Sequence, residues 1–489
     1  MTVNCRNVDQ TQLAIDTLTD DALVYVFDFY VAQTSEVEAW HTLVHVCRRW
    51  RNLVFAFPRR LNLRIACTNE TPVKKKLDIW PPLPIVISGR FHPIISANCD
   101  NIKAALEHHD RVCQITLYFD FCELEDIDII ASLEEPFPIL TDLNLSVPTS
   151  SRPFAPDPSK FLSGSPRLRS LTLSRFPEIP DLPKLLLSTP NLVILRVDKI
   201  LDFFSNSFQF DEIVTVLSAL TRLEQLDLHV GYPKLETRRL SPLTPTTLPS
   251  LTRLKVRGDT EHVEDFIARI DAPLLDRLFI SLFFSHSDRD IVLDTPQLFR
   301  FISHMPKLQA PVEAHRGPDR ALIGFSPGTF EIKFSFSTRT SFHIFGLEIF
   351  CYEPERQFPC LTRFCRSAPF PLGLLEHLFI GDGHFFLLHG SHTGNARWLE
   401  LLRPFVSVKK LYLTKKFALH IAHALKELVG ERVMEVFPIL ENVFIEEFKP
   451  VGRVNEAMRR FVAARQLAGH PIILSGLDVK KRLALARRR

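Results

Sequence analysis

At 489 residues, 46% hydrophobic and 24% charged, the chain is long for a single core and too apolar to be disordered. No apolar run approaches the ~18 residues of a membrane span, no apolar signal segment opens the chain, and nine scattered cysteines without a Cys-x-x-Cys argue against a disulfide framework. The net charge of +3 is uneven: residues 449–489 carry eleven basic and two acidic side chains, leaving 48 basic against 54 acidic elsewhere.

The first elements predicted lie in residues 15–63. Leu23, Val26, Phe27 and Tyr30 fall at i, i+3, i+4, i+7, as do Trp40, Leu43, Val44, Cys47 and again Trp50, Leu53, Val54, Phe57. That spacing is one face of a helix, three times over. Three short helices make a small core. Val24, Phe29, Val46 and Phe55 remain off the stripes, a surplus of apolar surface that a partner would cover. Thr19 stands where it can cap the first helix, with Asp20 and Asp21 in the first turn, where the helix dipole favours acids.

Leu18, Leu23, Phe27 and the run Val46-Cys47-Arg48-Arg49-Trp50 resemble an F-box, with Thr19 in place of that family's usual proline. The resemblance implies that 13–60 is the F-box and docks on an SKP-type adaptor, and through it a cullin. The residues it implies for adaptor binding are Leu18, Leu23, Phe27, Leu43, Val46, Cys47, Trp50 and Leu53.

Residues 61–110 read as a linker with the first repeats. Leu61, Leu63 and Ile65 suggest a strand, Thr71-Pro72 a helix start with the proline at the first helical position, and Leu83, Ile85 and Ile87 a second strand. A rigid joint is expected here.

From 111 to 448 a Leu-x-x-Leu-x-Leu phrase recurs. Its copies begin with Val112-Ile115-Leu117 and include Leu140-Leu143-Leu145, Leu168-Leu171-Leu173, Leu192-Leu195-Val197, Leu223-Leu226-Leu228, Leu251-Leu254-Val256 and Leu275-Leu278-Ile280. It returns as Leu375-Leu378-Ile380, Val408-Leu411-Leu413 and Leu440-Val443-Ile445. The central residues step by 28, 28, 24, 31, 28 and 24, then by 33 and 32 after position 378. Helical segments between the phrases are expected at 101–109, 210–220, 260–270, 295–304 and 417–429. A strand and a helix every ~24–35 residues is the leucine-rich-repeat pattern, whose units stack because none can bury its apolar face alone. The asparagine or cysteine that usually follows the phrase is missing: Ser-Arg-Phe follows Leu173 and His-Val-Gly follows Leu228. Two poorer copies near Val312 and Leu347 would divide the gap from 278 to 378, where Phe330, Ile332, Phe334 and Phe336 alternate as a strand.

The expected fold class is therefore α/β: a three-helix F-box followed by an irregular leucine-rich-repeat-like solenoid, with 449–489 as a C-terminal cap and basic tail. The segments WHTLVHVCRRWRNLVFAFPRRLNLR, LDIWPPLPIVI, WLELLRPFVSVKKLYLTKKF and RRFVAARQLAGHPI are similar to the large fungal families of F-box proteins with degenerate repeats.

Signals for chemistry are weak. Gly324-Phe325-Ser326-Pro327-Gly328 matches a nucleophile elbow, which needs a strand turning into a helix, but the following TFEIKFSF alternates like a strand. His384, His389 and His392 with Asp382 read as a loop, and Cys360 and Cys365 as core thiols. KKRLALARRR reads as a solvated terminus or localisation signal. No cofactor, nucleic acid, membrane or catalysis is expected, and the location would be cytoplasmic and/or nuclear.

In x-Leu-x-Leu-x the leucines face the core and the residues between them a concave surface. Asp142, Asn144, Arg196, Asp198, Asp227 and His229 would lie there, then a cation row of Arg253, Lys255 and Arg257, then Phe279, Phe379, Tyr412 and Phe444. Arginines and aromatics dominate binding hot spots. The surface, with Arg253, Lys255, Arg257, Phe279, Phe379 and Tyr412 foremost, is expected to hold an unknown target protein. The chain then reads as the target-recognition subunit of an SKP–cullin–F-box ubiquitin ligase. The alternatives are a repeat scaffold with a degenerate F-box and a hydrolase at Ser326.

Overall fold

The computed structural model describes residues 15–34, 36–91, 99–120, 129, 131–147, 161–162, 164–174, 182–198, 210–230, 245–283, 295–305, 318–326, 328–335, 343–351, 354–367, 372–382, 394–448 and 452–477. The chain divides into two compact units, Met1–Leu168 and Arg169–Arg489.

In unit one, α1 (Asp20–Gln33) starts on Thr19, whose hydroxyl accepts the Ala22 N–H at 3.3 Å. It is followed by α2 (Trp40–Val44) and α3 (Arg48–Ala56). The Cys47 sulfur opens α3 by accepting the Trp50 N–H at 3.5 Å. The buried face of α1 is Leu23, Val24 and Phe27, rotated from the expected stripe; Val26 and Tyr30 face outward. Cys47 and Phe57 also lie outside the core, since each follows the end of its helix turn.

A parallel sheet follows: β1 (Ile65–Thr68), β2 (Ile85–Phe91), β3 (Val112–Phe119) and β4 (Asp142–Ser146), with α4 (Val73–Ile79) and α5 (Cys99–Leu106) between strands. Leu61 and Leu63 are buried before β1 rather than in it. Pro72 takes the N-cap position of α4, not the first helical one, and the Thr71 hydroxyl turns away to that of Thr68 at 3.3 Å.

The joint between helices and sheet is closely made. Trp40 is fully buried and donates its indole N–H to the Arg64 carbonyl at 2.9 Å. Trp80 stands edge-on to Trp40 at 5.1 Å and stacks on His41 at 4.8 Å. Ala66 lies on the outer edge of β1, where its N–H and C=O have no strand partner in this unit. Glu38 accepts that N–H at 2.8 Å, and Lys76 donates to that carbonyl at 2.7 Å and to Glu38 at 2.8 Å. An unpaired strand edge thereby receives side-chain partners.

In unit two the repeat phrases become β5 (Ser170–Ser174), β6 (Ile194–Asp198), β7 (Gln225–Val230), β9 (Arg253–Asp259), β11 (Arg277–Phe283), β15 (His377–Asp382), β16 (Lys410–Leu413) and β17 (Asn442–Glu446). A minor pair, β8 (Thr246–Thr247) and β10 (Ile270–Asp271), stands apart. The helices are α6 (Leu182–Leu187), α7 (Phe210–Ala219), α8 (Thr260–Ala268), α9 (Pro296–Ser303), α10 (Pro354–Ser367), α11 (Asn395–Leu402), α12 (Lys415–Leu425) and α13 (Arg453–Leu467). The last strand, β18 (Ile473–Leu477), was not anticipated in the C-terminal cap.

Six of the phrases open with the same turn. Leu192, Leu223, Leu251, Leu275, Leu375 and Leu440 each donate their N–H to the carbonyl three residues back. One carbonyl then accepts two successive N–H groups of the next unit: Arg169 from Val193 and Ile194, Val193 from Glu224 and Gln225, Glu224 from Thr252 and Arg253, Thr252 from Asp276 and Arg277. Glu376 and Lys409 repeat it with the units that follow them. Because a carbonyl oxygen has two lone pairs, this backbone ladder does the tying that the absent asparagine would do.

The region 281–370 departs from expectation. It holds β12 (Arg320–Ser326), β13 (Thr329–Ser335) and β14 (His343–Phe350), and the strand order is β11-β14-β13-β12-β15. Leu347 does sit beside β11 in parallel, opposite Ile280, but β13 runs antiparallel to both neighbours. Three strands thus fill a gap read as two repeats; Val312 and Phe336 lie outside the described residues. Gly328, with φ of +75°, makes the tight β12–β13 turn.

Candidate binding face

The residues between the leucines lie on the face of the unit-two sheet opposite the buried side chains, and in-register neighbours form rows across the strands. One row runs Arg196, Asp227, Lys255, Phe279, Gly346, Lys333, Leu322, Phe379, Tyr412, Phe444. Lys255, Phe279, Phe379 and Tyr412, separate in the sequence, therefore share one line. Phe379, Tyr412 and Phe444 stack with centroids 4.1 and 4.8 Å apart and nearly parallel rings. The Tyr412 hydroxyl meets His377 Nδ1 at 3.4 Å. Burial raises the Tyr412 pKa; burial and then the cations Arg320 and Lys410 lower that of His377. At Gly346 a Cβ would stand 2.8 Å from a Phe279 ring carbon, so only glycine lets that ring lie flat.

The second row runs His229, Arg257, Ser281, Glu348, Glu331, Gly324, Gly381. Glu331 and Glu348 face each other as like charges; Lys333 pairs with the first, and Ser281 donates to the second at 3.1 Å. His229 stacks on Phe283 at 5.5 Å, and Phe283 on Phe350 at 4.4 Å.

The expected cation row is changed by its neighbours. Arg257 binds Asp198 at 2.8 Å and lies 3.8 Å from Asp227; Lys255 lies 3.7 Å from Asp227. Two of the three cations are thus neutralised across adjacent strands. His229, 3.9 Å away, and Arg257 pull the Asp198 carboxyl down to about 2. Arg253 differs: it faces the Phe279 ring at 5.8 Å and pairs with no carboxylate among the described residues. Arg196 donates to the Gln225 amide at 3.1 Å and likewise meets no carboxylate among the described residues. Burial, then the guanidiniums of Arg196 and Arg277, hold the Arg253 pKa below its ordinary value. Arg196 and Arg277 therefore matter more than sequence spacing indicated; only strand register brings them to Arg253. In unit one, Asn144 donates to the Tyr118 hydroxyl at 3.1 Å.

The expected adaptor residues divide into two groups. Leu23, Phe27, Leu43 and Leu53 are buried, and Trp50 is half-buried against Phe27 at 4.7 Å. They shape the unit from inside. Leu18, Val46 and Cys47 are exposed. Along α1, Tyr25, Val26, Phe29 and Tyr30 are exposed as well, with Phe29 67% exposed. Arg60 lies over the Tyr25 ring at 4.3 Å.

Ser326 ends β12 and leads through a hairpin into β13, so no strand-to-helix elbow forms. His384, His389 and His392 lie outside the described residues, as does the KKRLALARRR tail. Burial pushes the thiols of Cys360 and Cys365 up to about 12. Among the described residues no group of His, Cys, Asp and Glu is placed to hold a metal ion, and no helix is long and apolar enough to cross a membrane.

No family model matches the chain, and no curated protein matches it. Among solved structures it is similar to the leucine-rich repeat-containing protein LegL7 from Legionella pneumophila, at 13% identity and a TM-score of 0.30 over 76% of this chain and 96% of that one. It is also similar to TLR13 in the TLR13–ssRNA13 complex, at 13% identity and a TM-score of 0.34 over 85% of this chain and 49% of that one.

Proposed function

We propose that the chain is the target-recognition subunit of an SKP–cullin–F-box type ubiquitin ligase, making and breaking no covalent bond itself and working in the cytoplasm or nucleus. Residues 13–60 hold the adaptor, and the sheet face of the repeat domain within 111–448 holds a target protein. The observation that carries the reading is the exposed apolar strip Tyr25, Val26, Phe29 and Tyr30 on α1, with Leu18 and Val46 also exposed, on a three-helix unit whose sequence resembles an F-box. Small cores with contiguous exposed apolar surface complete themselves against a partner. The Trp40, Glu38 and Lys76 joint supports it too, because it fixes the three helices to the first strands of the sheet within unit one. Proximity then raises the effective concentration of a target lysine.

The test is co-purification of the full chain with an SKP-type adaptor, beside the surface variant Phe29→Glu/Val46→Glu. Capture by the wild type, lost in a variant with an unchanged melting profile, is the expected result. No capture by folded wild type overturns it and leaves the repeat scaffold with a degenerate F-box, the reading that Thr19 in place of proline favours.

A further inference from the structure

The helices of unit two pack on the buried side of the sheet, away from the candidate binding face: Phe364 of α10 stacks on Phe345 of β14 at 6.4 Å. A cleft of about 350 Å³ lies between α10 and α11 on that side. Pro359, Arg363 and Arg366 reach it from α10 at i, i+4 and i+7, and Arg397 and Glu400 reach it from α11 at i and i+3. Each set is one stripe of its helix. Arg366 pairs with Glu400 across the cleft at 2.8 Å. Arg363 and Arg397 stand one turn earlier on their helices, and both are exposed. Phe358 supplies an apolar floor, itself buried, stacked on Phe325 at 5.1 Å and edge-on to Trp398 at 4.5 Å.

We propose that this cleft docks an acidic segment of a second protein. One aspartate or glutamate bridges Arg363 and Arg397, and a neighbouring apolar side chain rests on Phe358 and Pro359. The site lies on the helix side, so it needs neither the adaptor nor the target reading of the sheet face. Charge complementarity names the partner: three guanidiniums outweigh the Glu400 carboxylate, so the lining attracts an anion and repels a cation. Guanidinium forks take carboxylate oxygens in pairs. The apolar floor argues for a chain rather than a free anion. An exposed ion pair alone holds little, because water and salt screen it. An apolar side chain tethered to the acid adds burial that a free carboxylate lacks. Arginine beside an aromatic ring is also the common make-up of protein hot spots. Glu400 gives the segment a direction. A second acid at the Arg366 end would meet a like charge, so the acid belongs at the Arg363 and Arg397 end.

The experiment is fluorescence anisotropy of the full chain, without adaptor, against short labelled peptides that carry Asp or Glu at varied spacing from Leu or Phe. A matched library carries Asn or Gln instead, and acetate and inorganic phosphate serve as competitors. Expected is preference for acidic peptides with an apolar residue nearby, weakening as salt rises. Arg363→Gln and Arg397→Gln should each weaken binding about tenfold, the worth of roughly one charge-assisted bond, and together abolish it. Glu400→Gln should tighten it, since Arg366 is then released to the peptide. Arg253→Gln, on the sheet face, should leave it unchanged. Arg363 and Arg397 are exposed, so each single variant keeps the core intact and gives a reading even where the double variant fails to fold. Equal binding of the amide library, affinity unchanged in both single variants, or loss in Arg253→Gln overturns the site. Displacement by acetate or phosphate at the peptide's own concentration overturns the segment and leaves a small-anion site. Adaptor capture is scored separately, so the ligase reading can fail while this site stands, and the reverse.

Discussion

Removing Glu38 tests whether the helices and the sheet of unit one behave as one body. Glu38→Ala strips the outward Ala66 N–H of its acceptor and Lys76 of its counter-ion, at a site where both side chains are about four-fifths buried. A hydrogen bond to a charged group contributes about 1.5–3 kcal/mol, and stranding a partly buried ammonium adds about 1 kcal/mol. The expected loss is about 2–4 kcal/mol. At a urea m-value of about 2 kcal/mol/M the midpoint of unit one should fall by about 1–2 M. Lys76→Met should cost about 1–2 kcal/mol, since it strips the Ala66 carbonyl of its donor but leaves the Ala66 N–H on Glu38. The double variant should cost less than the sum of the two, with a coupling of at least about 1 kcal/mol. Urea denaturation of the four proteins gives the cycle, and hydrogen exchange at the Ala66 amide should speed up only where Glu38 is absent. A coupling below about 0.5 kcal/mol, or unchanged Ala66 exchange in Glu38→Ala, would refute the edge cap and the rigid joint with it.

Four further outcomes follow from the geometry. Gly346→Ala should push the Phe279 ring off its strand and destabilise unit two by about 1–3 kcal/mol, read by chemical denaturation; a change under about 0.5 kcal/mol would show that the ring has room. Asp198 is held down to about 2, below its ordinary value near 3.8, so its ion pairing contributes stability above that ordinary value and loses it as pH falls toward 2. Asp198→Asn should therefore flatten the acid limb of the stability profile between about pH 4 and 2, while an unchanged limb would mean that solvent already screens the pair. Native alkylation at pH 7 should reach Cys47 and spare Cys67, Cys360 and Cys365, whose thiols burial raises to about 11, 12 and 12; mass spectrometry of the labelled peptides reads it. Ser326 should not react with a fluorophosphonate probe, and specific labelling there would revive the hydrolase alternative.

The helices and most strands were legible because burial imposes a period: the leucines of each phrase had to alternate, and they are buried. What was illegible is set by partners distant in sequence. Helical periodicity alone does not say which flank of the α1 stripe is covered, so Val24 is buried and Val26 exposed, the reverse of the expectation. Arg257 read as a free cation because Asp198 lies 59 positions away, and only parallel register brings them to 2.8 Å. The Thr71-Pro72 start was misread by one position because the Thr71 hydroxyl found Thr68 instead of the helix. Arg465 had no signal at all: it is fully buried in α13, donating to the Pro438 carbonyl at 2.9 Å.

The reversed strand trio has a kinetic consequence. In a regular solenoid each unit adds to the one just made, so order propagates along the chain from any nucleus. Here β11 must wait for β14, made some sixty residues later, and β15 rests on β12, whose far side is closed by the same hairpin. Propagation from the β5 end stalls at β11 until a non-local closure occurs, and such closures are slow because chain entropy is lost before any contact repays it. The array should therefore fold as two blocks with a late clasp between them. A stop at residue 305 would leave β11 with an open edge, whereas losing a unit on either side of the clasp would leave the clasp itself intact.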